Sequence, residues 1–476
     1  MEKNLSISFL LLFFIAAAFI PTSGANYTDS HDVYWQERAA LARARILQAY
    51  NPNPETIVTD FNQKTKEQGL VIFASLLLIL FLFPDFSDFA LHVSRALEHS
   101  QVNKAPHNGT RRNLGKKYAG PCVATNPIDR CWRCNPNWAL NRQKLADCAQ
   151  GFGAAARGGK FGPIYVVRDP SDNDMMNPKP GTLRHAVIQP GPLWIIFSHS
   201  MNIRLNQELI MTSDKTIDGR GALVQITGGA GLTIQFVHNI IITNLKITNI
   251  VPSPGGTIRD SVNHFGFRTG SDGDAINIFG SHDIWIDHLS MSGGADGLID
   301  AVMGSTGITI SNCHFVRHDK VLLFGGRDMD DIDSKMQITL AFNHFGKHLV
   351  QRMPRCRRGF FHLVNNDYTH WLMYAIGGSH HATIISQGNR YIAPPLPDKR
   401  QVTHREADSP ESEWRKWTWV TDHDVFLNGA FFVPSGDPNG AATYLALEKI
   451  RPAPGVHVYE LTRFAGALKC VASLPC

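Results

Sequence analysis

The sequence predicts an all-β fold, a parallel β-helix with long side loops preceded by a short helical extension, and three observations predict it. From about Gly162 onward, short β-prone runs are separated by glycine, asparagine and aspartate turns, with no long amphipathic helix between them. Asn343, Asn366 and Asn389 stand 23 residues apart, each shortly after an Ile, Leu or Val core and two residues before an aromatic, namely Phe345, Tyr368 and Tyr391. Asn312 stands in the same relation to Phe315, at three residues, and Leu245, Leu289 and Phe315 continue the apolar pattern upstream. Finally, 40 glycines and 26 prolines in 476 residues favour a turn-rich β architecture over a helical bundle. A period in the twenties means stacked coils, each burying its apolar face on its neighbours. Leucine-rich repeats share the period, but their LxxLxL consensus is missing. An asparagine recurring at one corner can hold a left-handed bend and hydrogen-bond up and down the stack.

The elements before the stack follow in order. Lys3, an apolar run from Phe9 to Ile20 and the small residues Ser23-Gly24-Ala25 read as a secretory signal over residues 1–25, which predicts a secreted, extracellular protein. Export allows the eight cysteines to oxidise, and an even count permits full pairing in an open connectivity. Cys131-Trp132-Arg133-Cys134 has the spacing of a redox or zinc motif; with no second CxxC and an oxidising compartment, structural disulfides are expected instead. Asn26-Tyr27-Thr28 and Asn108-Gly109-Thr110 are glycosylation sequons at Asn26 and Asn108. Asp32 to Tyr50 has helical spacing, with Trp35, Leu41, Ile46 and Leu47 interleaved with charged residues, and Pro52 and Pro54 end it. Residues 69–83 are apolar and uncharged, but shorter than the ~20 residues of a spanning helix, so a membrane tether is not expected. His92 to Lys117, with Arg111-Arg112, reads as a linker or processing region. The predicted organisation is therefore an extension and linker over 26–117 and a main domain over 118–476.

A formal charge of +5 and a pI near 8.7 attract a polyanion: nucleic acid, anionic lipid or acidic polysaccharide. The densest acidic cluster is SDGDAINIFG, with Asp272 and Asp274, followed by GGADGLIDA, with Asp296 and Asp300. A single Asp-Gly is ordinarily a turn. Four glycine-bracketed carboxylates one coil apart can instead converge on a hard cation, which wants six to eight oxygens. Lys320 in HDKVLLFG and Arg352, Arg355 and Arg357 in QRMPRCRRG follow by one to three coils. Such a basic run is usually a solvated face, but here it projects onto the same flank. A groove holding both a cation site and basic side chains suits a substrate with repeated carboxylates, which arginine clamps with forked hydrogen bonds.

WIDH at Trp285–His288, ADGLIDA, HDKVLLFG, QRMPRCR and NNDYTHWLMYAIGGS resemble the plant pectate lyase family, over about Cys122 to Arg400. The segment DVYWQERAALARARILQAYNPNPETIVTDFN resembles the amino-terminal extension of part of that family. The resemblance implies a right-handed parallel β-helix and calcium-assisted β-elimination of polygalacturonate to 4,5-unsaturated oligogalacturonides. It implies Asp272, Asp274, Asp296 and Asp300 as Ca2+ ligands, Arg352 as catalytic base, and Lys320 and Arg357 as substrate-binding, charge-stabilising groups. Two departures stand out. The run 69–83 interrupts the extension, and GGRDMDD follows Phe324 where the family usually carries histidine and serine in place of Gly326 and Arg327. Arginine is also a poor general base, with a pKa above about 12. Either neighbouring cations bias Arg352 towards its neutral form, or it stabilises charge while water or hydroxide takes the proton.

Two other functions compete. A hydrolase on the same architecture would use the aspartates as general acid and base and work without calcium. A pectin-binding wall protein would keep the groove and lose turnover. Nucleic-acid binding is disfavoured by the predicted export and the lack of a reading motif. A monomer is the default for a β-helix whose sides are covered by loops.

Overall fold

The computed structural model describes residues 33–64, 122–406, 409–436 and 452–476. Within them the β-prone runs become coils whose residues lie directly over their equivalents in the coil below. Ile240, Ile284, Ile308, Ile338, Phe361, Ile384 and Trp419 form one such column, each paired in parallel register with the next and each fully buried. Truncating one of these side chains to alanine would cost about 2–5 kcal/mol, because a stacked column cannot collapse around the gap. The coils build three parallel sheets of ten, eight and nine strands, a right-handed parallel β-helix. The eight-stranded sheet carries the cleft described below. Both faces of the ten-stranded sheet are covered. Its inner face lines the core, and Ile241 and Trp285 on its outer face lie under Ile128, Trp132 and Leu145 of a capping segment. That double burial explains why these strands read as continuous apolar runs.

The polar corner contains two adjacent columns where the sequence suggested one. The ladder column is Leu245, Leu289, Cys313, Asn343, Asn366, Asn389 and Asp424. The Asn366 Oδ1 accepts from the Asn343 amide at 3.0 Å and from its Nδ2 at 2.9 Å, and Asn389 repeats this for Asn366. Asn312 sits one position earlier, in the column that takes the left-handed bend, with φ 51°; there its neighbours are Phe342 at 57°, Asn365 at 50° and Gly388 at 60°. The ladder asparagines and the bend residues are thus different residues. Two positions beyond the ladder, Phe315, Phe345, Tyr368, Tyr391 and Phe426 stack with ring centroids 5.1, 4.7, 4.6 and 5.5 Å apart.

The predicted extension helix spans Val33–Ala49, and residues 54–64 form a second helical stretch, opened by Pro54 in the position where proline loses nothing. At 1.5 Å per residue the first helix is about 25 Å long, the height of about five coils. It lies lengthwise on the stack through Trp35, Ala42 and Ile46; Leu41 and Leu47, of the apolar residues noted in the sequence, are exposed. Asn51 and Gln337 exchange two hydrogen bonds, Phe61 stacks on Phe342 at 5.8 Å, and Asn62 donates to Gln387 at 2.8 Å. Among the described residues no helix is long and apolar enough to cross a membrane. The signal, both sequons and the run 69–83 lie outside the described residues.

The CxxC cysteines are structural, as expected, and bond away from one another: Cys122–Cys134 and Cys131–Cys148, with Cys470–Cys476 at the other end. Full pairing does not occur. Cys313 and Cys356 are free and buried, because each occupies a column position inside the stack rather than a surface loop. The histidine of the WIDH motif is also structural: fully buried, His288 meets Asp129 at 2.8 Å and the Gly466 carbonyl at 2.9 Å, tying both terminal segments to the coils.

Candidate active site

Asp272 and Asp274 sit on the loop that enters the strand Ile276–Phe279; one coil on, Asp296 stands on the equivalent approach to the strand Ile299–Val302, and Asp300 lies within that strand. Carboxylate oxygens of Asp272, Asp274 and Asp296 all lie within 4.8 Å of one another. Asp300 lines the same cleft but stands outside that tight set, in register beside Asn277, whose amide donates to Asp274 at 3.2 Å. Gly297 makes the approach possible. Its amide donates to Asp274 Oδ1 at 2.7 Å, and a Cβ there would fall 2.2 Å from Asp300 Oδ1, so only glycine lets the two carboxylates converge. The cluster repels itself. Burial, then Asp272, pushes Asp274 up to about 7; burial and Asp296 raise Asp272; burial and Asp274 raise Asp300 well above the usual carboxylate range. An all-oxygen, over-charged set of this kind fits a hard divalent cation.

Positive groups close the cleft from the next coils. Lys320 donates to Asp296 at 2.6 Å, and Lys320 and Arg352 line the same wall as the four aspartates. Arg352 is held at φ 63°, the left-handed conformation that Arg317 and Arg358 also take at bends of the coils. It faces Asp300, which it draws down, and the Tyr374 hydroxyl, which burial pushes up to about 12. Tyr374 has room because residue 377 is glycine, where a Cβ would come within 2.5 Å of the ring.

A family model described as pectate lyase matches residues 202–413, and one described as pectate lyase, N terminus, matches residues 29–71. Over 475 residues, covering 99% of both, the chain is 54% identical to probable pectate lyase P59 of Solanum lycopersicum. The chain belongs to the pectate lyase family. The lyase is also 52% identical over 466 residues to a pectate lyase of Lilium longiflorum, covering 98% of both chains. Among solved structures it resembles jun a 1, the major allergen from cedar pollen, with a TM-score of 0.69 at 45% identity over 72% of this chain and 99% of that one.

Arg357 stands apart from the other sequence-predicted residues of the lyase. It is buried under the Gly325–Asp328 segment, its Nη1 on the Gly325 and Gly326 carbonyls at 3.1 and 2.5 Å and its Nε paired with Asp328 at 2.7 Å. The departing GGRD segment is therefore the partner of Arg357, while Gly326, Arg327 and Asp330 form part of the cleft. Sequence reading missed Asn277, Tyr374, Glu208 and Arg268. Glu208 is a lone carboxylate in the apolar run NQELIM, which is a signal for a buried, partnered charge; it meets Arg268 at 3.3 Å with both side chains almost fully buried. Asn277 was within the quoted acidic motif and Tyr374 within MYAIGG, but nothing in spacing alone marked either.

Proposed function

We propose that this lyase cleaves de-esterified pectin, (1→4)-α-D-galacturonan, by calcium-dependent β-elimination, releasing 4,5-unsaturated oligogalacturonides. The observation that carries this reading is the meeting of three carboxylates within 4.8 Å with Lys320 and Arg352 on one cleft wall. Asp272, Asp274 and Asp296 would hold the ion, with Asp300 completing or orienting the set. A calcium ion held by these residues would supply positive charge for the substrate's carboxylate and for the negative charge that develops on proton loss. Arg352, on the cleft wall facing Asp300, takes the C5 proton or steadies the charge as water takes it. The C4–O4 bond then breaks as the C4–C5 double bond forms, and the departing O4 takes a proton from solvent water to leave as a hydroxyl. Lys320 balances carboxylate charge beside Asp296. Arg357 reaches a substrate carboxylate by exchanging it for that of Asp328.

The reading also takes residues 1–25 as a secretory signal, 26–117 as extension and linker, 118–476 as the lyase domain, and Asn26 and Asn108 as glycosylated, in an enzyme that acts in the cell wall. Three disulfides support an oxidising compartment. The deciding experiment incubates the purified protein with polygalacturonate and follows ultraviolet absorbance of unsaturated uronides, with calcium and with excess chelator. Calcium-dependent absorbance is expected. New reducing ends without absorbance would mean hydrolysis, and neither signal would mean a binding protein.

A further inference from the structure

The first turn of the extension helix docks where it reaches the acidic loop. The hairpin Gly256–Ser261 with His264–Arg268 projects from the stack, and four residues after it ends the chain arrives at Asp272. Both aromatic residues at the start of the extension helix hold this hairpin. The Tyr34 ring stacks on His264 with centroids 3.8 Å apart and planes within 11°, and Trp35 lies over the Arg268 guanidinium at 5.6 Å. Trp35 is itself 2% exposed, packed on Ile210 and Ile258 of the coil and the hairpin. Arg268, the hairpin's last residue, is 1% exposed and reaches Glu208 at 3.3 Å; Thr233 donates to the same carboxylate at 2.7 Å. Thr233 stands in register beside Asn277, and Asn277 beside Asp300 and in hydrogen bond with Asp274. An unbroken path of packed and bonded side chains therefore runs from the extension to the acidic cluster.

We propose that the extension is a working part of the active site: Tyr34 and Trp35 clamp the hairpin through His264 and Arg268, and so hold the loop of Asp272 and Asp274 in place for a divalent cation. This inference rests on the reading of those aspartates as a calcium site. The physical basis is preorganisation. Carboxylates that repel one another spread apart unless their backbone is held, and a ligand set held in place binds without first being gathered. Trp35 keeps water from the Arg268–Glu208 pair, whose strength depends on that exclusion. Tyr34 and Trp35 are positioning residues, since neither touches the cleft.

The test measures calcium binding by calorimetry on the full chain, together with amide exchange of residues 269–274. Trp35→Leu keeps an apolar side chain and removes the aromatic face; it is expected to weaken calcium by about tenfold and to speed exchange in that loop. Trp35→Phe should restore most of the affinity. Phe61→Leu, at the far end of the same extension, should leave calcium affinity and loop exchange unchanged. Tyr34→Ala tests the same clamp should Trp35→Leu fail to fold, with the same expected direction. Equal loss in Phe61→Leu, or wild-type affinity in Trp35→Leu or in Tyr34→Ala, would overturn the inference and leave the calcium site standing. No calcium binding by the wild type would overturn the calcium reading and this inference with it.

Discussion

On the polar corner of the stack, Asn366 receives two hydrogen bonds from Asn343 and gives two to Asn389, whereas on the cleft face Asp272, Asp274 and Asp296 crowd within 4.8 Å with nothing but oxygens turned to one another. The same stacking rule produced both. A coil period lays like on like; an amide is donor and acceptor and is satisfied by its own copy, while a carboxylate accepts only and is repelled by its own copy. The corner is therefore a stabilising device and the cleft a site of stored repulsion, relieved by Lys320, Arg352 and a bound cation. The two regions lie on neighbouring coils of one stack: the coils that carry the aspartates have Leu289 and Cys313 at the ladder position, and the asparagine rungs begin one coil later at Asn343.

The largest effect expected from breaking this contrast is on turnover. Arg352→Lys keeps a charge but loses the guanidinium's shape and its reach towards Asp300 and Tyr374, and should lower the elimination rate by about 10²–10⁴-fold; uronide absorbance at saturating calcium reads it, and near-normal turnover would remove Arg352 from any geometric role. Asp296→Asn should weaken calcium by about 10–100-fold, measured by calorimetry. The sharper half of that experiment is stability: Asp300→Asn, read by thermal unfolding in chelator, should gain melting temperature over wild type as pH rises while it lowers activity, since it removes a carboxyl that ionises only against burial and a repelling set. No gain with pH would mean that the cluster is not under electrostatic strain.

The corner should respond the opposite way. Asn366→Ala orphans the Asn343 amide and the Leu340 carbonyl, and should cost about 2–4 kcal/mol of stability with little change in turnover per folded molecule, measured by denaturant unfolding. The smallest effect belongs to Asp424, where the ladder ends in a carboxylate held by Ser386, Thr421 and Asn389 and pushed up to about 7 by burial. Its folded pKa exceeds its unfolded one, so the native state binds the extra proton and wild-type stability falls as pH rises from about 4 to about 7. Asp424→Asn removes this dependence. Its melting temperature relative to wild type should therefore climb by a few degrees across that window, and a constant difference would mean that Asp424 is ionised throughout.

Much of this was legible in the chain. A 23-residue recurrence implies stacking whatever the fold's name, and the acidic and basic motifs, separated by whole coils, had to fall near one flank. The reading slipped where coil length varies. Cys313 and Asn343 are 30 residues apart and Asn389 and Asp424 35 apart, so the ladder continues through a cysteine and an aspartate that no fixed spacing reveals, and Asn312 was taken for a rung when it is the bend beside one. Arg357 was read as an open cleft residue because its motif is contiguous with Arg352; alternation along the strand Arg355–Arg357 does turn it outward, but the loop bearing Asp328 covers it.

The sequence by itself determined the period, the apolar columns and which residue types would repeat, because a coil's inward and outward positions are set locally by alternation and turn chemistry. Only the tertiary structure decided which cysteines pair, which carboxylates meet and that Trp35 covers Arg268. Those outcomes depend on how far each side loop bulges and where a segment more than two hundred residues away comes to rest, and neither is encoded in any local pattern.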